Sequence, residues 1–200
     1  MKMVVLGNDA AFQHLKSSNT GADWIRAHDR TALHDHKDAD ALFDLRDNNN
    51  EEDYPDTVIS CFIHSVTGPV AGSNSFVRIN AWDGFIQNDT WEVAGTIGNN
   101  EKAILDFLGK KIIVCPDEPG FISARIIAMI INEAYFALGE KVSTETEIDT
   151  AMKLGTNYPY GPFEWAQKIG TVHIYRLLKK LSLSDARYQP APSLAELFEN

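Results

Sequence analysis

The sequence predicts an α/β protein in which a domain built on a mainly parallel sheet, residues 1–117, is followed by an all-helical domain, residues 118–200. In the first part, short runs of β-branched and aromatic residues alternate with helical stretches, as in parallel sheets. From Pro116 onwards the strand-like runs stop, and helical segments bounded by proline and glycine follow. The 200 residues, 44% of them hydrophobic, are enough to build one domain or two small ones with real cores.

Seven strand-like runs and two helices are predicted in the first domain. Two loops separate them, a polar and acidic one at 48–56 and a glycine-rich one between Gly68 and Ser73. The strands and helices, identified from β-branched and helical patterns, are Met3–Leu6, Ala10–Lys16, Trp24–Ala27, Ala41–Leu45, Thr57–Ile63, Ser75–Trp82, Trp91–Ala94, Glu101–Leu108 and Lys111–Cys115.

Gly7 directly follows the first predicted strand, as in the nucleotide-binding turn of a Rossmann fold. A dinucleotide site wants three spaced glycines, but Gly7 is followed by Asn8, Asp9 and Ala10, so one glycine of three is present. Asp9 also places a negative charge where a phosphate is expected, which favours a plain strand-to-helix turn. Asp29 lies 22 residues after Gly7, the distance at which an acid holds the adenosine ribose. Gly7 and Asp29 are therefore the candidate cofactor-binding residues.

Three histidines lie close together at positions 28, 34 and 36. If residues 34–36 were extended, His34 and His36 would share a face and could bind a metal ion. No third ligand at a fixed spacing is evident, so a solvated loop without a metal is the favoured interpretation. A metal-dependent hydrolase is the least favoured function.

The second domain begins with a helix over 121–138 that is apolar almost all round, which predicts burial on two sides. Pro119 and Gly120 open this helix and Gly139 is placed to end it. The remaining helices are predicted from a capping box at Thr144 and Glu147 to Gly155, from Pro162 to Ile169 with Gly170 after it, from Val172 to Leu181, and as a last turn capped by Ser193 and Glu196.

Three short sequence motifs in this second domain form a specific pattern. They are Pro119-Gly120-Phe121, the run Asp149 to Gly155 (DTAMKLG), and the run Tyr158 to Glu164 (YPYGPFE). In this order they resemble the C-terminal helical domain of the 3-hydroxyacyl-CoA dehydrogenases, which has a 6-phosphogluconate-dehydrogenase-C-terminal-like fold. The resemblance covers about the last two-fifths of the chain. It implies NAD as the cofactor, an acyl-CoA-like ligand, a homodimer formed through the helical domain, and a Rossmann-like first domain that is shortened here after Asp29.

The resemblance also implies where the catalytic groups should be. The family's His-Phe-Phe-Asn-Pro block and its following glutamate, aligned on Glu92, place Asn80 at the histidine and Asp83 at the asparagine. Ala124 stands where a second substrate-site asparagine is expected. The family's serine block falls near Ser60 to Ser65 and does not match, although Ser65 could offer a hydroxyl and His64 a base from another direction. Loss of a positioned general base typically lowers the rate by about 10² to 10⁴.

Two functions follow from these expectations. The favoured one is a dimeric relative of the 3-hydroxyacyl-CoA dehydrogenases with lost or much reduced NAD-dependent turnover, which binds an acyl-CoA-like ligand or a protein partner. The alternative is an active NAD-dependent oxidoreductase for 3-hydroxyacyl-CoA or a similar hydroxy acid, using Glu92, His64 or Ser65 in an altered site.

Charge and cysteine content give further expectations about partners and compartment. A formal net charge of −10 argues against nucleic acid or an anionic membrane as the main partner. The two cysteines, Cys61 and Cys115, flank strand-like segments and are expected to be buried, reduced and not nucleophilic. The start of the chain has no signal-peptide pattern, and no apolar run is long enough for a membrane span. A cytoplasmic protein is expected.

Overall fold

The structure is a computed structural model that describes residues 1–36, 38–46, 61–65 and 76–199. It divides into two compact units, Met1–Phe121 and Ile122–Asn200. The first contains the sheet and the second is helical.

The sheet unit has seven strands in the order β2-β1-β3-β4-β5-β6-β7. All neighbouring pairs are parallel except β5 and β6, so β6 and β7 run against the other five strands. The prediction of a mainly parallel, Rossmann-like sheet is confirmed. Its elements are β1 (Lys2–Leu6), α1 (Asp9–Ser18), β2 (Asp23–Ala27), α2 (Arg30–Asp35), β3 (Ala41–Asp44), β4 (Cys61–Ser65), β5 (Phe76–Ile79), β6 (Thr90–Gly95), α3 (Asn99–Phe107) and β7 (Lys111–Val114).

The two faces of the sheet carry different cores because successive strand residues point to opposite sides. The larger core contains Val5, Phe43 and Trp91, packed with Phe12 of α1 and Ile104 of α3. On the other face, Val4, Leu6 and Leu42 pack with Leu33 of α2, and a separate small cluster joins Ala94, Cys115 and Phe121. This second face also carries the buried polar residues described below.

The polar stretch after Asp29 differs from its prediction. It contains α2, which packs through the fully buried Leu33 and is capped by Asp29. The backbone at His34 is therefore helical, and the extended arrangement considered for His34 and His36 is wrong.

Other predictions in this unit fall partly or wholly outside the described residues. The loops at 48–56 and between Gly68 and Ser73, with the first part of the strand predicted at 57–63, belong to that set. The strand predicted over 75–82 ends at Ile79, since a turn begins at Asn80.

The helical unit confirms the prediction of an all-α second part. Its elements are α4 (Ser123–Gly139), α5 (Glu145–Thr156), α6 (Pro162–Ile169), α7 (Thr171–Ser182), a 3₁₀ turn at Ala186–Tyr188 and α8 (Pro192–Ala195). The capping box at Thr144 and Glu147 is present, and Gly170 ends α6 with a φ of 98°. No helix in the described ranges has the length and apolarity needed to span a bilayer.

Gly139 is the last residue of α4, as predicted, and Lys141 two residues later has a left-handed backbone with φ 59°. Two other helix-end predictions are wrong in detail. The next helix passes Gly155 and ends at Thr156, followed by Asn157 with φ 57°. Ser193 does not cap the last helix, because its Oγ donates to the carbonyl of Tyr135.

One long face of α4 is less buried than its composition predicts. Ala128 and Ile131 are fully buried, whereas Ile122 and Ile126 are 47% and 54% exposed. Met129 and Ile130 lie between these extremes. A single copy of the chain therefore leaves an apolar strip of this helix uncovered.

Candidate functional site

The turn between β1 and α1 is where a dinucleotide pyrophosphate would bind in a Rossmann fold. Here Asn8 Oδ1 accepts a hydrogen bond from Ala11 N at 2.8 Å and so occupies one first-turn amide. The Asp9 carboxylate forms an ion pair with Arg26 of β2, and Arg26 Nη2 also contacts the Gly7 carbonyl at 3.4 Å. A pyrophosphate needs open N–H groups and no competing anion at a helix N-terminus. This turn does not fit that requirement.

The ribose end of the expected cofactor site is also altered. Asp29 Oδ1 accepts from Ala32 N at 2.8 Å and acts as the N-cap of α2. β2 is the margin of the sheet, and among the described strands none lies beyond it. The usual dinucleotide-binding order, 3-2-1-4-5-6, has a third strand at that margin. The chain instead passes from β2 through the six-residue α2 directly to β3.

A row of polar positions crosses the second face of the sheet. Asp44 pairs in register with His64, His64 with Arg78, and Arg78 with Ala94. Register partners share a face, and strand residues two apart return to that face. The backbone position of His64 therefore belongs to the same face as Glu92. Ser65 pairs with Ile79 and belongs to the opposite face.

The two positions that the resemblance aligns with catalytic residues, Asn80 and Asp83, lie in the turn after β5. Asn80 is 6% exposed, and its Oδ1 accepts from the backbone N–H of Trp82 at 3.2 Å. Asp83 Oδ1 accepts from Gln87 Nε2 at 2.9 Å. An amide cannot take up a proton near neutral pH, so Asn80 cannot act as a general base. Glu92 is half-buried on the next strand, and Ala124 lies buried in α4 without a polar group.

Sequence reasoning missed an ionic cluster at the end of β3. Asp44 is 1% exposed and accepts from Arg46 through both carboxylate oxygens, at 2.9 and 2.8 Å. Arg30 of α2 lies 3.5 Å from the same carboxylate. Two guanidinium groups therefore flank this one buried carboxylate. The strand order reverses between β1 and β3, and open α/β sheets bind ligands at such a point.

A second buried charge lies further along the same row. Arg78 is 1% exposed, forms an ion pair with Asp117, and has its guanidinium 5.4 Å from the centre of the Phe121 ring. Burial lowers the pKa of Arg78, whereas Asp117 raises it. Burial also raises the pKa of the Cys115 thiol, and the nearby Glu92 carboxylate raises it further. The Cys115 thiol is therefore a poor nucleophile at neutral pH.

No group of three or more metal-binding side chains lies together in the part of the chain that the structure describes. His28, the first residue of the histidine run, is a non-helical residue just before α2.

The helical unit contains a cavity of about 420 Å³ between α4, α5 and α6. Asp149 of α5 lines it and accepts from the backbone N–H groups of Phe163 and Glu164, at 2.8 and 3.1 Å. Lys153, one turn further along α5, forms an ion pair with Glu164. These hydrogen bonds and this ion pair connect the two sequence blocks, Asp149 to Gly155 and Tyr158 to Glu164. These contacts of Asp149, Lys153 and Glu164 satisfy a helix start or a neighbouring charge.

These two blocks lie in a region of the chain that matches a known family of domains. The model of the 3-hydroxyacyl-CoA dehydrogenase C-terminal domain matches residues 120–200. The 3-hydroxyadipyl-CoA dehydrogenase of Escherichia coli is 46% identical over 90 residues, which cover 44% of this chain and 19% of that protein. The 3-hydroxybutyryl-CoA dehydrogenase of Bradyrhizobium diazoefficiens is 42% identical over 94 residues, covering 46% and 32%. The matches thus span a third or less of these curated relatives.

A solved structure extends the comparison to the sheet unit. The crystal structure of (S)-3-hydroxybutyryl-CoA dehydrogenase from Ralstonia eutropha superposes with a TM-score of 0.74, covering 99% of this chain and 93% of that one. Its sequence identity of 19% means that this match supports the fold alone. Residues 120–200 therefore match the C-terminal domain of the 3-hydroxyacyl-CoA dehydrogenases, and the whole chain shares the fold of one of these proteins.

Proposed function

We propose that this protein is a 3-hydroxyacyl-CoA dehydrogenase relative with lost or much reduced NAD-dependent turnover, which acts as a dimeric binding protein for an acyl-CoA-like ligand or a protein partner. The main support for the proposal is that the buried Asn80 side chain is used in a hydrogen bond to the backbone. This buried amide replaces the family's proton acceptor and is bonded to the backbone of Trp82. Glu92 on the next strand then has no imidazole at that position to orient.

Weak or absent NAD binding is supported by the turn after β1. Asn8 occupies an amide of α1, and Asp9 with Arg26 adds an ion pair at the same helix start. Asp29 caps α2 through its carboxylate. Three groups near the expected cofactor path are thus bonded within the chain.

Binding of an anionic small molecule is supported by the cluster at the end of β3. Arg30 and Arg46 both face the Asp44 carboxylate at the point where the strand order reverses. Phosphate groups, such as those of coenzyme A, suit guanidinium donors. The names of the relatives above indicate that those proteins act on acyl-CoA compounds.

A homodimer through the helical domain is supported by the uncovered strip of α4. Ile122 and Ile126 are about half exposed, and a second copy of the same strip would remove them from water. Ile126→Glu should place a charge in this interface and shift light-scattering mass towards the monomer. Glu133→Gln, at an exposed position on the same helix, is the matched control.

Titration with NADH, followed by nucleotide fluorescence, tests the lost turnover together with an acetoacetyl-CoA reduction assay. We expect no saturable NADH binding and a rate at least about 10² below that of a full-length relative measured alongside. Saturable binding with turnover at the relative's rate would refute the proposal.

Calorimetric titration with coenzyme A tests the ligand site. Arg46→Gln should weaken any binding, whereas Lys102→Gln, which changes an exposed lysine on α3, should not. Equal effects of both variants would show that the β3 cluster is not the site.

The alternative, an active NAD-dependent oxidoreductase with an altered site, is favoured by one observation. The backbone position of His64 falls on the same sheet face as Glu92. In that case His64→Ala and Glu92→Gln should each abolish turnover, whereas in the favoured proposal neither variant changes the background rate.

A further inference from the structure

The outer margin of the sheet at β7 is apolar and uncovered. Ile112, Ile113 and Val114 are 38%, 48% and 64% exposed, and every residue of the strand is exposed. Successive strand residues face opposite sides of a sheet, so both faces of β7 are open. Among the described strands, β6 is its single neighbour. Exposed apolar edge strands pair with other chains, and proteins normally protect them.

The opposite margin of the same sheet provides an internal comparison. β2 buries Trp24 and Ala27 and exposes the charged residues Asp23 and Arg26. Arg26 is further fixed by its ion pair with Asp9. Charged exposed side chains are the usual protection of an edge strand. β2 has this protection, whereas β7 has one lysine, Lys111, at its start.

The backbone of β7 has a defined set of outward groups. Lys111 N donates to Asp89 O, and Cys115 N donates to Val93 O, each at 2.9 Å. These bonds direct alternate residues, including Ile113, towards β6. The N–H and C=O groups of Ile112 and Val114 are therefore directed away from the sheet.

We propose that β7 pairs with β7 of a second copy of this chain in an antiparallel ladder. With the two-fold axis at Ile113, Ile112 of one copy lies opposite Val114 of the other, and their outward N–H and C=O groups bond mutually. The two Ile113 residues form the closely spaced, non-hydrogen-bonded pair at the centre. The two seven-stranded sheets would then form one continuous sheet.

The charges flanking β7 select this orientation. Lys111 is at the start of the strand. Glu118 and Asp117, which also pairs with Arg78 of its own chain, follow the end of the strand. Antiparallel pairing brings the basic start of one copy near the acidic exit of the other, twice by symmetry. Parallel pairing would align like charges. Pro116, which has no N–H, limits the ladder to a few residues.

This pairing uses the sheet unit, whereas the dimer proposed above uses the α4 strip. A chain with both interfaces would form assemblies larger than a dimer, either a closed tetramer or an open chain. The two interfaces can therefore be removed separately.

Val114→Pro is the selective variant. It deletes an outward N–H without removing a bond to β6, and proline is tolerated at such edge positions. Val114→Thr keeps the N–H and the β-branched shape and is the matched control. Light scattering across a range of protein concentrations should give assemblies above the dimer for the wild type and Val114→Thr, and a smaller mass for Val114→Pro. Ile126→Glu should leave a β7 dimer, and combining it with Val114→Pro should give the monomer.

The outcomes separate the two interfaces. A monomeric Ile126→Glu protein, or a Val114→Pro protein with the mass of the wild type, would overturn the β7 pairing. An Ile126→Glu protein with the mass of the wild type would refute the α4 dimer instead.

Amide exchange gives a test on the unmodified chain. The Ile112 and Val114 amides should be protected at high protein concentration and exposed on dilution, while Ile113, bonded to β6, stays protected. Exchange rates of the Ile112 and Val114 amides that do not change with protein concentration would also overturn the proposal.

Discussion

Asp149 holds the start of α6, and replacing it with alanine should destabilise the helical unit. Asp149 is 8% exposed, and its carboxylate accepts hydrogen bonds from the backbone N–H groups of Phe163 and Glu164. These are first-turn amides that the helix itself cannot satisfy. Alanine would leave both without their acceptor.

The expected loss follows from these two bonds. A hydrogen bond to a charged group contributes about 1.5–3 kcal/mol, and removing a helix cap costs about 0.5–2 kcal/mol. The two bonds share one carboxylate, and water can reach part of the adjoining cavity, so we expect about 3 kcal/mol rather than the full sum. At about 2 kcal/mol per molar urea, the unfolding midpoint should fall by about 1.5 M.

Urea unfolding followed by far-ultraviolet circular dichroism measures the midpoint, and amide exchange of α6 locates the effect. Asp149→Asn keeps one acceptor oxygen and should lose about half as much free energy. Glu145→Ala is the matched control, since it removes an exposed carboxylate from the same helix. An Asp149→Ala protein that unfolds at the same urea concentration as Glu145→Ala would refute the reasoning.

Two further predictions concern charges. The Lys153 ammonium and the Gly161 N–H lower the pKa of Glu164 below its ordinary value of 4.5. Because the folded-state pKa is the lower one, this stabilisation is present above about pH 4.5 and is lost as the pH falls through the folded-state value. Glu164→Gln should flatten this acid dependence in thermal unfolding scans, and an unchanged profile would contradict the assignment. Asp117→Ala leaves the buried Arg78 charge without its carboxylate and should cost about 2 kcal/mol, whereas Arg78→Met should cost less than about 1 kcal/mol. Chemical unfolding measures both variants, and a larger loss for Arg78→Met would contradict the prediction.

Strands with β-branched residues and helices with complete end signals could be predicted from the sequence. The runs at 3–6 and 111–115 became β1 and β7, and the capping box at Thr144 correctly placed the start of α5. These signals are local, because the periodicity and the cap lie within a few residues. The order of strands depends on contacts between distant segments and was not accessible in this way.

The short helix α2 shows where local signals fail. Its six residues include one fully buried apolar side chain, Leu33, so no amphipathic period is visible. The helix is stabilised by packing on the sheet and by the Asp29 cap. The spacing of Asp29 from Gly7 suggested a ribose contact. The same carboxylate also fits the pattern of a helix N-cap, which is the role that it has in the structure.

The charged cluster of the candidate site was missed for a related reason. Asp44 and Arg46 are two residues apart, but Arg30 approaches them only because α2 leads the chain back to β3. Conversely, the resemblance predicts Asn80 and Glu92 as site positions, and this stays a prediction. Their use in turn geometry became clear from the hydrogen bond between Asn80 and Trp82.

The position of β2 at the margin of the sheet has a consequence for how such a protein can become smaller. Removing a peripheral strand leaves every interior strand with both of its neighbours, whereas removing a central one would open a row of unsatisfied amides and carbonyls. A sheet of this kind can therefore lose its outermost strand without losing the fold. A strand at the border of a sheet needs water-compatible side chains, and Asp23 and Arg26 supply them on β2.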